Sequence, residues 1–140
     1  MFGGLIKRSP ADAAFSEFIR YRDHWTCQRC RWPADPMVPA QRVRLHCSHF
    51  ITRANVRVRF DPNNAAAMCM GCHDHLGKNP ADHRDLWLKR LGQAAYDILR
   101  VIANTRRVER IDESLERIKW AAALEDLRRQ RGDIVIGAKA

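Results

Sequence analysis

Two Cys-x-x-Cys turns constrain this chain more than any other feature: Cys27-Gln28-Arg29-Cys30 and Cys69-Met70-Gly71-Cys72. A turn of this spacing brings two sulfurs to one side, where they fill two corners of a tetrahedron. Two such turns complete a four-sulfur site. A redox motif needs only one pair, in a βαβ setting. The chain has 140 residues and five cysteines, an odd number that argues against a disulfide framework. The expectation is therefore a structural zinc ion on Cys27, Cys30, Cys69 and Cys72. Four thiolates leave no open position for water or substrate, so any chemistry must come from other residues. The remaining Cys47 reads as a small buried apolar side chain.

The wide interval between the two pairs leaves room for a β-hairpin. Val43, Leu45 and Cys47 alternate with Arg44, His46 and Ser48, and Val56, Val58 and Phe60 alternate with Arg57 and Arg59. Both patterns have the period of strands, with 51–55 as the connecting loop. Asp61-Pro62-Asn63-Asn64 reads as a turn, followed by a helix from about Ala65.

Helices are expected on either side. Ser9, Pro10 and Asp12 mark the start of one running to about Arg22, with Ala14, Phe15, Phe18 and Ile19 at helical spacing. Asn79-Pro80-Ala81-Asp82 opens a second, with Trp87, Leu88 and Leu91 along one side. Gly92 interrupts it, and a further helix from Gln93 carries Ala95, Ile98, Leu99 and Ile102. A last helix spans about Asp112 to Arg131, with Leu115, Ile118, Ala122 and Leu127 as its inner stripe. Residues 132–140 read as loose.

The formal net charge is +9. Between positions 20 and 59, Arg20, Arg22, Arg29, Arg31, Arg42, Arg44, Arg53, Arg57 and Arg59 face only Asp23 and Asp35. Guanidinium forks pair with phosphate oxygens, so a polyanion is the expected partner. No apolar run is long enough for a membrane span, and no apolar signal core follows Lys7 and Arg8. An intracellular protein is the expectation.

The histidines fall in order between and after the knuckles: His46-Cys47-Ser48-His49-Phe50-Ile51, then Arg59-Phe60-Asp61-Pro62-Asn63-Asn64, then Cys72-His73. This order resembles the four-cysteine branch of the HNH endonucleases. The finer pattern, Cys47-Ser48-His49-Phe50, the Arg59–Asn64 run and the knuckle Cys69–Cys72, is similar to the NinG (Rap) family of lambdoid phage recombination nucleases. The resemblance implies an α+β fold: a zinc-stapled ββα-metal (HNH) core with an N-terminal helix and a C-terminal α-helical extension. Residues 1–79 would form the first helix and nuclease core, and 80–140 the extension, for dimerisation or DNA binding.

The resemblance also implies roles. His49 stands at the general base and Asn64 at the residue that orients the hairpin loop. His73 is at the ligand for a catalytic Mg2+ or Mn2+. Position 48 usually supplies a second ligand from Asp or His; here it is Ser48, a poor one, although NinG relatives carry a small residue there. Asp74, His75, Asp61 or His46 are further candidate ligands. Arg53, Arg57, Arg59 and Arg44 would contact DNA. His24, His75 and His83 read as solvated surface. Three functions stay open: a nuclease for branched DNA such as Holliday junctions and D-loops, a general HNH nicking enzyme on duplex DNA, and a catalytically silent zinc module that binds nucleic acid. Symmetric junction cutting needs two active sites, and the ββα core is too small to occupy all the apolar stripes of the helices from Pro80 to Arg131, which favours a homodimer.

Overall fold

A computed structural model describes residues 7–106 and 110–133. The expected loose tail falls, beyond Asp133, outside the described residues. The elements run α1 (Pro10–Arg22), a short α2 (Pro39–Arg42), β1 (Leu45–His49), a 3-10 turn (Pro62–Asn64), β2 (Ala65–Cys69), α3 (Met70–Lys78), α4 (Pro80–Leu91), α5 (Gln93–Asn104) and α6 (Glu113–Gln130). None of the described helices is long and apolar enough to cross a membrane.

Helix α1 begins where its capping residues dictate. Ser9 Oγ accepts the Asp12 amide at 3.2 Å, and the Asp12 carboxylate accepts the Ser9 amide at 2.9 Å. This reciprocal box satisfies amides that have no partner inside the helix. The expected break at Gly92 is also present, with φ at 82° in the left-handed region that glycine enters freely. Asn79 does precede α4, but it makes no side-chain cap; its amide donates to the His75 carbonyl at 2.8 Å.

The hairpin differs from the expectation in its second strand. β1 pairs antiparallel with β2, Leu45 opposite Cys69 and His49 opposite Ala65. The segment Val56–Phe60 is not a strand. It is a run of turns, closed by Asn55 N–H to the Thr52 carbonyl and Val58 N–H to the Asn55 carbonyl. The stretch Ala65–Cys69, expected to be helical, is the strand. Alanine favours helix in isolation, but tertiary packing overrides so weak a preference. Ala65, Ala66 and Ala67 are fully buried, and their small side chains let helices approach both faces of the sheet.

One buried core gathers Leu45, Met68, Leu76, Trp87, Tyr96 and Leu99. The other carries Phe15, Ile19, Phe60 and Trp120, closed by α1 and α6. The helices after position 80 therefore pack back on the hairpin. Trp87 is fully buried and its indole N–H donates to the Asn63 carbonyl at 2.8 Å. The inner stripe of α6 is corrected: Trp120 and Ala123 face inward, while Leu115 and Ile118 face solvent. On α5, Tyr96, Leu99 and Ala103 are the buried face and Ile98 is exposed.

Candidate functional site

The two knuckles meet as expected. The Sγ atoms of Cys27, Cys30, Cys69 and Cys72 all lie within 4.8 Å of one another, and Cys30 and Cys69 are 3.7 Å apart. Sulfurs at about 2.3 Å from a tetrahedral zinc would be separated by about 3.8 Å, so the set fits one zinc ion. The fold holds each turn firmly. Gln28 N–H donates to the Ala67 carbonyl at 2.8 Å, which locks the first knuckle to β2. Cys69 ends β2 and caps α3, its Sγ accepting the Cys72 amide at 3.4 Å. Arg29 donates to Cys72 Sγ at 3.4 Å and offsets thiolate charge.

Alternation along β1 sorts the remaining side chains. Ser48 points to α3: its Oγ lies 2.9 Å from His73 Nδ1. His46, two residues earlier, faces the same way and stacks its ring on that of His73, with centroids 5.0 Å apart. His49 turns to the opposite side, against Phe15 of α1. The structure thus brings Ser48 and His73 together but sends His49 away from His73.

His49 Nε2 lies 3.0 Å from the carbonyl of Arg59. A carbonyl only accepts, so Nε2 carries the proton and Nδ1 keeps a bare lone pair. Burial holds the His49 pKa below its usual range, against the Arg59 carbonyl, which would raise it; the charge of Arg53 also lowers it. The ring borders a cleft of about 110 Å³ that it shares with Arg8, Asp12, Ser16, Cys47 and Arg53. Cys47 is kept as a neutral thiol there, burial pushing its pKa up to about 12.

Asn64 is fully buried and pins the loop that supplies this carbonyl. Its side chain accepts the Ile51 amide at 2.8 Å, donates to the Ile51 carbonyl at 2.8 Å and donates to the Val58 carbonyl at 3.1 Å.

The arginines expected on DNA divide. Arg59 is buried at 7 % exposure, its guanidinium on the Asp12 carboxylate at 3.0 and 2.6 Å, so it is not available to a phosphate. Arg53 also reaches Asp12, at 3.0 Å, and remains partly open. Arg57 donates to the Thr105 carbonyl. Arg44 is exposed, beside an open groove it shares with Trp32, Gln41 and Met70. Other members of the basic segment cross-link the fold: Arg22 donates to the Pro62 and Ala65 carbonyls at 2.8 and 2.7 Å, and Arg20 to the Leu45 carbonyl at 3.2 Å. Positive charge in this segment is therefore partly structural, which counting residues could not reveal.

Two residues of the site were not legible in sequence. Asp12, expected only at a helix start, binds two arginines, and its carboxyl is held down at about 2: burial alone would raise it, but the Arg59 and Ser9 hydrogen bonds prevail. His83 is not a surface residue as expected. Its ring sits against Phe50 and Trp87, and its Nε2 is buried. His75 and His24 do face solvent, His75 bonding Asp82 at 2.8 Å. No spacing signal marks His83, because its neighbours come from separate elements.

Comparison with known proteins agrees with the sequence resemblance. The chain is 28 % identical over 124 residues to the protein ninG of Escherichia phage 933W, and equally to that of Enterobacteria phage VT2-Sa. The match takes in 88 % of this chain and 59 % of each relative, so the chain spans about three fifths of their length. No solved structure matches. The family model described as bacteriophage lambda NinG protein matches residues 8–130, and the chain belongs to that family.

Proposed function

We propose that this chain is a metal-dependent DNA endonuclease with an HNH-type core, acting on branched recombination intermediates such as Holliday junctions and D-loops. One observation carries the reading: His49 is held by the Arg59 carbonyl in the tautomer whose Nδ1 can accept a proton. Hydrolysis of a phosphodiester needs that service for the attacking water. Burial favours the neutral ring, so the base is ready near neutral pH. Asn64 keeps the loop in register, and Asp12 acts at one remove by fixing Arg59. The HNH pattern itself puts the metal position and the base at consecutive residues, 48 and 49. A phosphodiester seated over the end of β1 would have His49 on one side and the His73 face on the other. A divalent ion bound at His73 would supply positive charge to the phosphate and to the leaving oxygen. The four-sulfur centre has no such role, because its donors close the coordination sphere. The substrate class comes from the sequence resemblance.

The test uses zinc-loaded protein with four-way junction, flap and linear duplex DNA, in Mg2+ or Mn2+. We expect the junction to be cut fastest. His49→Ala should keep the fold and DNA binding while cleavage falls at least ~100-fold, the scale of losing a general base. Unchanged cleavage in that variant removes His49 from the mechanism. Equal rates on all substrates would point to a general nicking enzyme. Binding without cleavage would leave a zinc module that only holds DNA.

A further inference from the structure

Ser16 of α1 is 3 % exposed, yet its hydroxyl has no hydrogen-bond partner among the described residues, not even the Asp12 carbonyl one turn back. Buried polar atoms are nearly always satisfied, and an exception calls for a ligand or another physical cause. Ser16 lines the cleft of about 110 Å³ beside His49, together with Arg8, Asp12, Cys47 and Arg53. Charge around this cleft does not balance. The Asp12 carboxylate is already taken by Arg59, Arg53 and Ser9. Arg8 is exposed, and its guanidinium makes no ion pair or hydrogen bond among the described residues. The guanidinium groups of Arg8, Arg53 and Arg59 thus stand against a single carboxylate.

We propose that this cleft is a subsite for a DNA backbone phosphate, held by Arg8, Ser16 and Arg53, next to the phosphodiester that is cut. The subsite rests on the nuclease reading for its substrate. It extends the binding surface to α1, outside the ordered pattern of cysteines and histidines.

Size, donors and position agree. The cleft has room for about three waters at ~30 Å³ each, which the head of one phosphate group would displace. Guanidinium forks and a hydroxyl are the donors that backbone phosphate oxygens take. Asp12 and Ser16 lie one turn apart on α1, while Cys47 and His49 share the side of β1 that meets it. A phosphate in the cleft is therefore on the His49 side of β1, whereas Ser48 and His73 meet on the other. It is a neighbour of the phosphate seated over the end of β1, and it fixes the register of that strand at the base. The orphan hydroxyl has its physical cause in this role: it is unsatisfied in the free protein and paired when DNA is bound.

The experiment measures binding of a four-way DNA junction to the zinc-loaded full chain over a range of salt, without Mg2+ or Mn2+ so that nothing is cut. Arg8→Gln should weaken binding and flatten the slope of log affinity against log salt by about 1, the loss of one phosphate contact. Ser16→Ala changes no charge, so it should weaken binding about 10-fold with the slope unchanged. It should also unfold at the same or higher urea than the wild type, because no hydrogen bond within the protein is lost. A merely structural serine would show the reverse, with stability lost and affinity kept. Arg8 is at the surface, so its variant decides even if Ser16→Ala fails to fold. Unchanged affinity in Ser16→Ala, or an unchanged slope in Arg8→Gln, overturns the subsite; junction cleavage by the wild type in Mg2+ would then leave the nuclease reading standing without it. Both shifts as expected, with no cleavage in any divalent ion, would uphold the subsite and sink the nuclease reading. A wild type that binds no DNA overturns both.

Discussion

Asp12→Asn removes one negative charge from the most enclosed ion pair in the described structure and little else. Asn keeps a side-chain oxygen for the Ser9 amide, so most of the helix cap survives. The Arg59 guanidinium, 2.6 Å away and 7 % exposed, then loses its main counter-charge. Two routes give the size of the loss. The Asp12 pKa drops from 3.8 to about 2, which at 1.36 kcal/mol per unit is about 2 kcal/mol of stability. Breaking a buried pair by removing one partner typically costs 3–5 kcal/mol. Glu113, 3.7 Å from Arg59, offsets part of that, so about 3 kcal/mol is expected. The carboxyl is depressed in the fold, so its contribution is complete above the unfolded value of 3.8 and fades as pH falls toward 2. Urea unfolding at pH 7, with zinc held at one concentration for every variant, measures it. Arg59→Met should destabilise similarly, and the double variant should recover at least ~1.5 kcal/mol relative to additivity. A loss under ~1 kcal/mol in Asp12→Asn, or additive single effects, would refute the view that this pair fastens α1 to the loop behind His49.

Asn64→Ala should cost about 3 kcal/mol, since three hydrogen bonds to the 51–58 loop are lost and the freed groups are buried. Amide exchange at Ile51 should speed up in step, and a protected Ile51 amide would count against the assignment. Cys69→Ser should abolish stoichiometric zinc and with it the fold, because a structural zinc site contributes on the order of 10 kcal/mol; circular dichroism and metal analysis read both. Cys47, with its thiol pushed up to about 12 by burial, should resist alkylation at pH 8 in the zinc-loaded protein and react once urea unfolds it. Alkylation at the rate of a free thiol would contradict that burial.

The local devices were legible in the chain itself. Ser9, Pro10 and Asp12 set the start of α1, Gly92 sets the break between α4 and α5, and the two Cys-x-x-Cys turns announce a metal centre wherever they fold, because each signal is a matter of near neighbours. Asn64 was also legible, through its place in an ordered pattern. The path of the second strand was not. Ala65–Cys69 is a strand only because helices enclose both its faces, and that enclosure is assembled from distant parts of the chain. The fate of the charges was decided the same way: Arg59 and Arg44 look alike in sequence, yet Asp12 draws one inward and leaves the other at the surface. So too with His83, whose buried nitrogen follows from α4 folding back over Phe50. Sequence specifies what each segment can do with its neighbours along the chain; burial, pairing and which face a side chain shares are properties of the packed whole.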